Sequence, residues 1–171
     1  MRTTAISTAV ALGFLCIVAG AQTPNVDELL TKAARWDYDQ NREPTRAISD
    51  AVQKAQGSPA ATREIETRFI AFLKSDATPA SKDFICRQLS VMGSEASVPV
   101  LSGMLLQAST ADMARFALER IPGTAPDGAL RDAFGKTSGG VRIGIINTMG
   151  RRRDAAAVPL LRPLASGSDQ P

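Results

Sequence analysis

Residues 141–164 read VRIGIINTMGRRRDAAAVPLLRPL, and the fold turns on them. Val141, Ile145 and Met149 recur at the spacing that puts side chains on one face of an α-helix. Gly150 and the run Arg151-Arg152-Arg153-Asp154 then break the apolar pattern with turn residues. Val158, Leu161 and Leu164 resume helical spacing around Pro159. Proline is accepted in a first helical turn because the N–H it lacks has no partner inside the helix. The stretch predicts a helix, a tight turn and a second helix, with Asp154 capping the second.

The same grammar runs upstream. Leu29, Ala33 and Trp36 share a face, as do Ile48, Ala51, Val52 and Ala55. So do Ile65, Phe69, Phe72 and Leu73, then Ile85, Leu89 and Met92, then Val98, Leu101 and Leu105. Ala114, Leu118 and Ile121 follow, then Leu130 and Phe134, giving nine helical segments with the two above. Pro44, Pro79 and Pro126 fit first turns, while Gly57, Gly93, Gly123, Gly139-Gly140 and Gly150 read as breaks. No segment alternates with period two for long, so the expected class is all-α.

Three blocks repeat at about 28 to 31 residues: 81–110, 111–140 and 141–171. Leu89, Leu118 and Ile146 fall in register, and so do Met92, Ile121 and Met149. Val98-Pro99 recurs as Val158-Pro159. A unit this short cannot bury its apolar stripe alone and must stack on neighbours, which predicts an α-α superhelix. The rival is a compact helical bundle with accidental spacing.

Residues 141–164 also resemble HEAT-like repeats, including those found in phycobilin lyases. The likeness is carried by Arg142 after the first apolar position, the Met149-Gly150 ending, Asp154, and Ala157 to Leu161 opening the second helix. The second block keeps Ala114-Arg115 and the Leu118-to-Gly123 ending but lacks the Val-Pro pair. The first keeps Val98-Pro99 but has Lys82-Asp83 where an arginine is expected. The resemblance implies a HEAT or armadillo-like solenoid of about four helix pairs, with residues 22–80 as divergent N-terminal pairs. It says little about function.

The N-terminus reads as a signal peptide over residues 1–21. Arg2 gives a basic start, residues 9–18 an apolar run, and Ala19-Gly20-Ala21 a small-residue cleavage site. The run is short for a membrane span, which needs about 20 residues. Phe14-Leu15 ahead of Cys16 argues against lipid attachment there. The expected destination is the periplasm or the cell exterior. Removing the segment lowers the formal charge from +3 to +2 and leaves Cys86 as the single cysteine, so no internal disulfide forms. So small a charge does not favour nucleic acid or acidic membranes.

The chain contains no histidine, which excludes Ser-His-Asp and Cys-His catalysis and histidine metal ligands. No lysine has a serine three residues before it. Gly135-Lys136-Thr137 lacks the earlier glycine of a phosphate loop, because Leu130 stands there. Cys86 sits among apolar neighbours and reads as packing. The acid pairs Asp37/Asp39 and Glu64/Glu66 read as solvated, since neighbours two apart on a helix diverge.

Two features remain as candidate partner contacts. Arg151, Arg152 and Arg153 read either as a basic patch for an acidic partner or as a solvated turn. Trp36 and Tyr38, the only residues of their kinds, read either as a contact site or as a seal on the N-terminal end of the core. The expectation is a non-enzymatic, exported interaction module without cofactor or metal. Its partner would be another protein, bound along the second helices at 97–107, 127–136 and 155–165. The alternatives are an enzyme or accessory protein of the lyase type, and a fragment of a longer exported repeat protein. The second follows from residues 166–171, which read as a loop instead of a polar capping helix.

Overall fold

The computed structural model describes residues 25–167. The signal segment expected over 1–21 and the last four residues, 168–171, lie outside them. Among the described residues the chain forms nine α-helices and no strand. They are α1 (Val26–Ala33), α2 (Glu43–Ala55), α3 (Pro59–Leu73), α4 (Pro79–Met92), α5 (Val98–Leu105), α6 (Ala111–Leu118), α7 (Ala125–Phe134), α8 (Gly139–Arg152) and α9 (Val158–Ala165).

Local chemistry starts each helix. Proline holds the first or second position of α2, α3, α4, α5, α7 and α9. Asn25, Ser58 and Thr78 accept hydrogen bonds from N–H groups in the first turns of α1, α3 and α4, satisfying donors the helix leaves free. The recurring Val-Pro pair produces the same local structure twice. A 3-10 turn, Glu95–Ser97 or Ala155–Ala157, leads directly into α5 or α9. Ser94 caps the first turn and Asp154 the second, each through its side-chain oxygen.

The helices pack in order. α2, α4, α6 and α8 touch one another in succession, while α1 meets α3 and α5 meets α7. Side by side with these runs lie the pairs α1–α2, α3–α4, α5–α6 and α7–α8. Their inner faces share one apolar cluster. Its deepest members include Ile85 and Leu89 on α4, Leu101 and Leu105 on α5, Ala114 and Leu118 on α6, and Ile145 and Met149 on α8. These are pairs one helical turn apart, which is how an α-helix offers a stripe. Each fully buried leucine or isoleucine stabilises the fold by about 1.5–3 kcal/mol, so this cluster outweighs the exposed ion pairs.

Several sequence expectations need correction here. Gly150 does not end a helix, because α8 runs on to Arg152. Gly139-Gly140 do not end one either: they open α8, while α7 ends at Phe134 with Gly135 as its C-cap. Ile146, aligned with Leu118 by sequence, is half-buried, while Ile145 beside it is fully buried. The α8 face is the one read from Ile145 and Met149; only the alignment of Ile146 with Leu118 is off, by one residue. α9 contributes no fully buried residue, with Val158 52% and Leu160 42% exposed. Among the described residues no helix is long and apolar enough to cross a membrane.

Candidate functional site

The aromatic candidates divide between two roles. Trp36 follows α1 and is buried, with its ring edge-on to Phe84 of α4 at 6.3 Å between centroids. Its indole N–H donates to the Asn41 carbonyl at 3.1 Å, satisfying the one polar atom it buries. Its own carbonyl accepts from the hydroxyls of Thr78 and Ser81 at the start of α4. Trp36 therefore fastens α1 to α4 and presents no free face to a partner.

Tyr38 stacks edge-on against Trp36 at 5.5 Å and remains 60% exposed. Its hydroxyl is turned inward, donating to Asp83 Oδ2 at 2.8 Å. Partial burial of that hydroxyl, and then the bond to Asp83, raise its pKa above the ordinary phenol value. The same carboxylate oxygen accepts from Arg87 Nε at 2.8 Å. Arg87 lies over the Phe116 ring of α6 at 4.9 Å, and Arg120, one turn beyond Phe116, lies over the same ring at 4.1 Å. Such stacking holds a guanidinium by cation–π attraction.

The contacts continue to α8. Glu119 pairs with Arg120 at 3.8 Å and with Arg151 at 3.2 Å. Arg115, on the Glu119 side of α6, donates to Thr148 of α8 at 3.1 Å and pairs with Asp112. Arg115 also lies where a side chain at Gly144 would stand: a β-carbon there would fall 2.9 Å from Arg115 Nε. The space over Gly144 is filled by the Arg115 side chain. One strip of touching side chains runs Tyr38, Asp83, Arg87, Phe116, Arg120, Glu119, Arg151. It joins Tyr38 and Arg151, read from the sequence as separate features.

The three consecutive arginines share no role, which corrects the reading of a solvated turn. Arg151 is exposed and belongs to the strip. The Arg152 side chain is only 9% exposed. It pairs with Asp127 of α7 and donates to the carbonyls of Leu118, Ile121 and Gly123 at 2.8 Å and of Glu119 at 3.1 Å. Those carbonyls end α6 and form the turn after it, so Arg152 closes a helix end that lacks partners of its own. Arg153 is the C-cap of α8 in the left-handed region, with φ 56°, and is exposed. Asp154 caps the next turn as expected, and also pairs with Arg131 of α7.

Glu66 is also not a solvated acid. It is 2% exposed, and its carboxylate accepts from Ser94 N at 2.7 Å, from Ser94 Oγ at 2.8 Å, and from Ser97 Oγ at 2.6 Å. It thereby binds α3 to the start of the 3-10 turn before α5. Arg142 rests over Phe134 at 4.4 Å. Cys86 is fully buried, and desolvation, then the nearby Asp83 charge, push its thiol up to about 12.

The residues the sequence reading passed over are Arg87, Phe116 and Arg120. A signal for them exists. Phe116 and Arg120 are one helical turn apart, and Arg87 precedes Phe116 by close to one block length. The strip starts at Tyr38 between α1 and α2 and crosses α4, α6 with the turn that follows it, and α8, the first helices of the blocks. The second helices, where a contact surface was expected, carry no part of it. Among the described residues no group of three histidine, cysteine or acidic side chains is arranged to hold a metal ion. Searches with protein-family models, against curated proteins and against solved structures return no match to this chain.

Proposed function

We propose that this chain is an exported α-solenoid of the HEAT-like kind and serves as a non-enzymatic module that binds another protein. The observation that carries the reading is an offset of about one block that recurs, between residues 66 and 151, in side-chain contacts joining alternate helices. The ties from residues 33–38 to residues 76–83 are longer, at 41 to 48 residues. Glu66 reaches Ser94 and Ser97 across 28 and 31 residues. Arg115 reaches Thr148 across 33, and Arg151 reaches Glu119 across 32. These separations sit close to the block length of the sequence repeat. A stack in which each unit touches its neighbours supplies such offsets, and it offers a continuous outer face. The strip from Tyr38 to Arg151 supports the binding role, because arginine and aromatic side chains supply much of the energy at protein contacts.

Removal of residues 111–139 tests the architecture. A solenoid closes over the gap, keeping helical circular dichroism and a cooperative transition at lower stability. Loss of all cooperative structure would instead favour a compact bundle. For the binding role, a photoreactive residue at position 38 is compared with one at Asp50, which is exposed on α2. Cross-linking in the native exported fraction should yield one defined product from position 38 and none from position 50. Equal, diffuse labelling from both positions argues against a docking face. Export is tested by joining residues 1–21 to a reporter that lacks its own signal, which should then leave the cytoplasm.

A further inference from the structure

We infer that the strip across α4, α6 and α8 takes an acidic polypeptide segment, extended across the helices, with carboxylates about three residues apart. This rests on the protein-binding role proposed above and names its ligand. The side chains of Arg87, Arg120 and Arg151 are 55%, 45% and 67% exposed. The acids that pair with them, Asp83 and Glu119, are 14% and 13% exposed. Cations therefore stand outward over recessed carboxylates. Two exposed acids stand near the strip and keep their charge: Asp112, offset by its pair with Arg115, and Asp37, which accepts from the Tyr38 N–H.

The cations are also held in place. Arg87 and Arg120 rest on one phenyl ring, and the Asp83 and Glu119 carboxylates grip Arg87 and Arg151. Each keeps donors that its present partners leave in solvent, since a guanidinium carries five N–H groups. A carboxylate accepts two of these side by side. Less side-chain freedom is lost on binding when the fork is already positioned.

Spacing selects the ligand's form. Arg87 and Arg120 lie 4.9 and 4.1 Å from one ring centroid, and Arg120 and Arg151 lie 3.8 and 3.2 Å from one Glu119 oxygen. Neighbouring cations therefore stand no farther apart than an extended chain's three-residue advance, and flexible glutamate side chains take up the difference. A polyproline II segment advances about 3.1 Å per residue and returns to the same face every three residues, or about 9 Å. An acidic residue at every third position would meet α4, α6 and α8 in turn. Tyr38, exposed beyond Arg87, would then meet an apolar or aromatic residue at one end of the segment.

The test uses the purified chain and a fluorescent peptide of about 12 residues in extended conformation, with Glu at every third position and Phe at one end. Fluorescence anisotropy at low ionic strength should give saturable binding that weakens steeply with added salt. Arg120→Glu should weaken it at least about tenfold, and the triple change Arg87→Glu, Arg120→Glu, Arg151→Glu should abolish it. Arg46→Glu, at an exposed position on α2, should leave it unchanged. The triple Gln variant guards against misfolding by charge reversal, and it too should lose binding while keeping native circular dichroism. A peptide that does not bind, or a folded triple variant that binds as well as the original, overturns the inference. So does tighter binding of a sulfated oligosaccharide at the same arginines. If the cross-linked partner of position 38 survives the triple Gln change, the binding module stands and the acidic ligand falls.

Discussion

Arg152, in the last turn of α8, donates to the carbonyl of Leu118, the last residue of α6, at 2.8 Å. Its two neighbours in sequence do nothing similar. Arg152→Ala should cost about 3–5 kcal/mol, since it strands Asp127 and four carbonyls of the α6–α7 turn. Arg151→Ala should cost no more than about 1 kcal/mol. Arg153→Gly should match or exceed the original by up to about 1 kcal/mol, because glycine accepts the left-handed conformation without penalty. Urea unfolding of the three variants decides the order. Equal losses across the triplet would contradict it.

Glu66 should matter more than either acid of the Asp37/Asp39 pair. Glu66→Ala removes the acceptor for one N–H and two hydroxyls at the start of the α5 segment. The expected loss is about 2–3 kcal/mol, with Ser97→Ala losing about half as much. Asp39→Ala should change stability by under about 0.5 kcal/mol. Thermal unfolding at neutral pH measures all three.

Tyr38 is the only tyrosine, so its phenol can be followed directly by ultraviolet absorbance. Its titration should lie above the ordinary value of about 10, and Asp83→Asn should bring it down. A raised folded pKa means the stabilisation is full below the unfolded value and disappears as pH rises through the folded one. A phenol that ionises at its ordinary value in the native chain would mean the bond to Asp83 does not persist in solution.

Cys86 gives a chemical readout of the same core. With its thiol pushed up to about 12, it should not react with a thiol reagent at pH 8 in the native chain, and should react fully in denaturant. By the same linkage, its contribution is whole below the ordinary thiol value of 9.0 and declines as pH rises toward about 12. Rapid native labelling would show that α4 opens.

The all-α class and the positions of most helices were legible because apolar period, proline starts and glycine ends agree with one another. Helix ends near residues 139 and 150 were not. Gly139-Gly140 and Gly150 are weak helix formers, yet α8 includes them, because burial of Ile145, Thr148 and Met149 outweighs propensity. The burial of Glu66 was illegible for another reason. Its partners lie about one unit away, and nothing local marks the Ser94 and Ser97 hydroxyls as theirs. The strip was half legible. Tyr38 and Arg151 stand out by type and clustering, whereas Arg87 and Arg120 become notable only once Phe116 is placed between them.

The side-chain ties between helices reach over short lengths of chain; the Ser81 hydroxyl, which also donates to the Ala33 carbonyl, spans 48 residues. No bond among them joins the first helix to the last. In the proposed solenoid, folding can begin wherever neighbouring helices meet, and search is brief because little chain must be looped out. Damage is confined in the same way. In the proposed solenoid, an injury to α8 and α9 would be felt first by α6 and α7, so the molecule would fail from one end like a row of bricks; a bundle sharing one core would fail all at once, like an arch without its keystone.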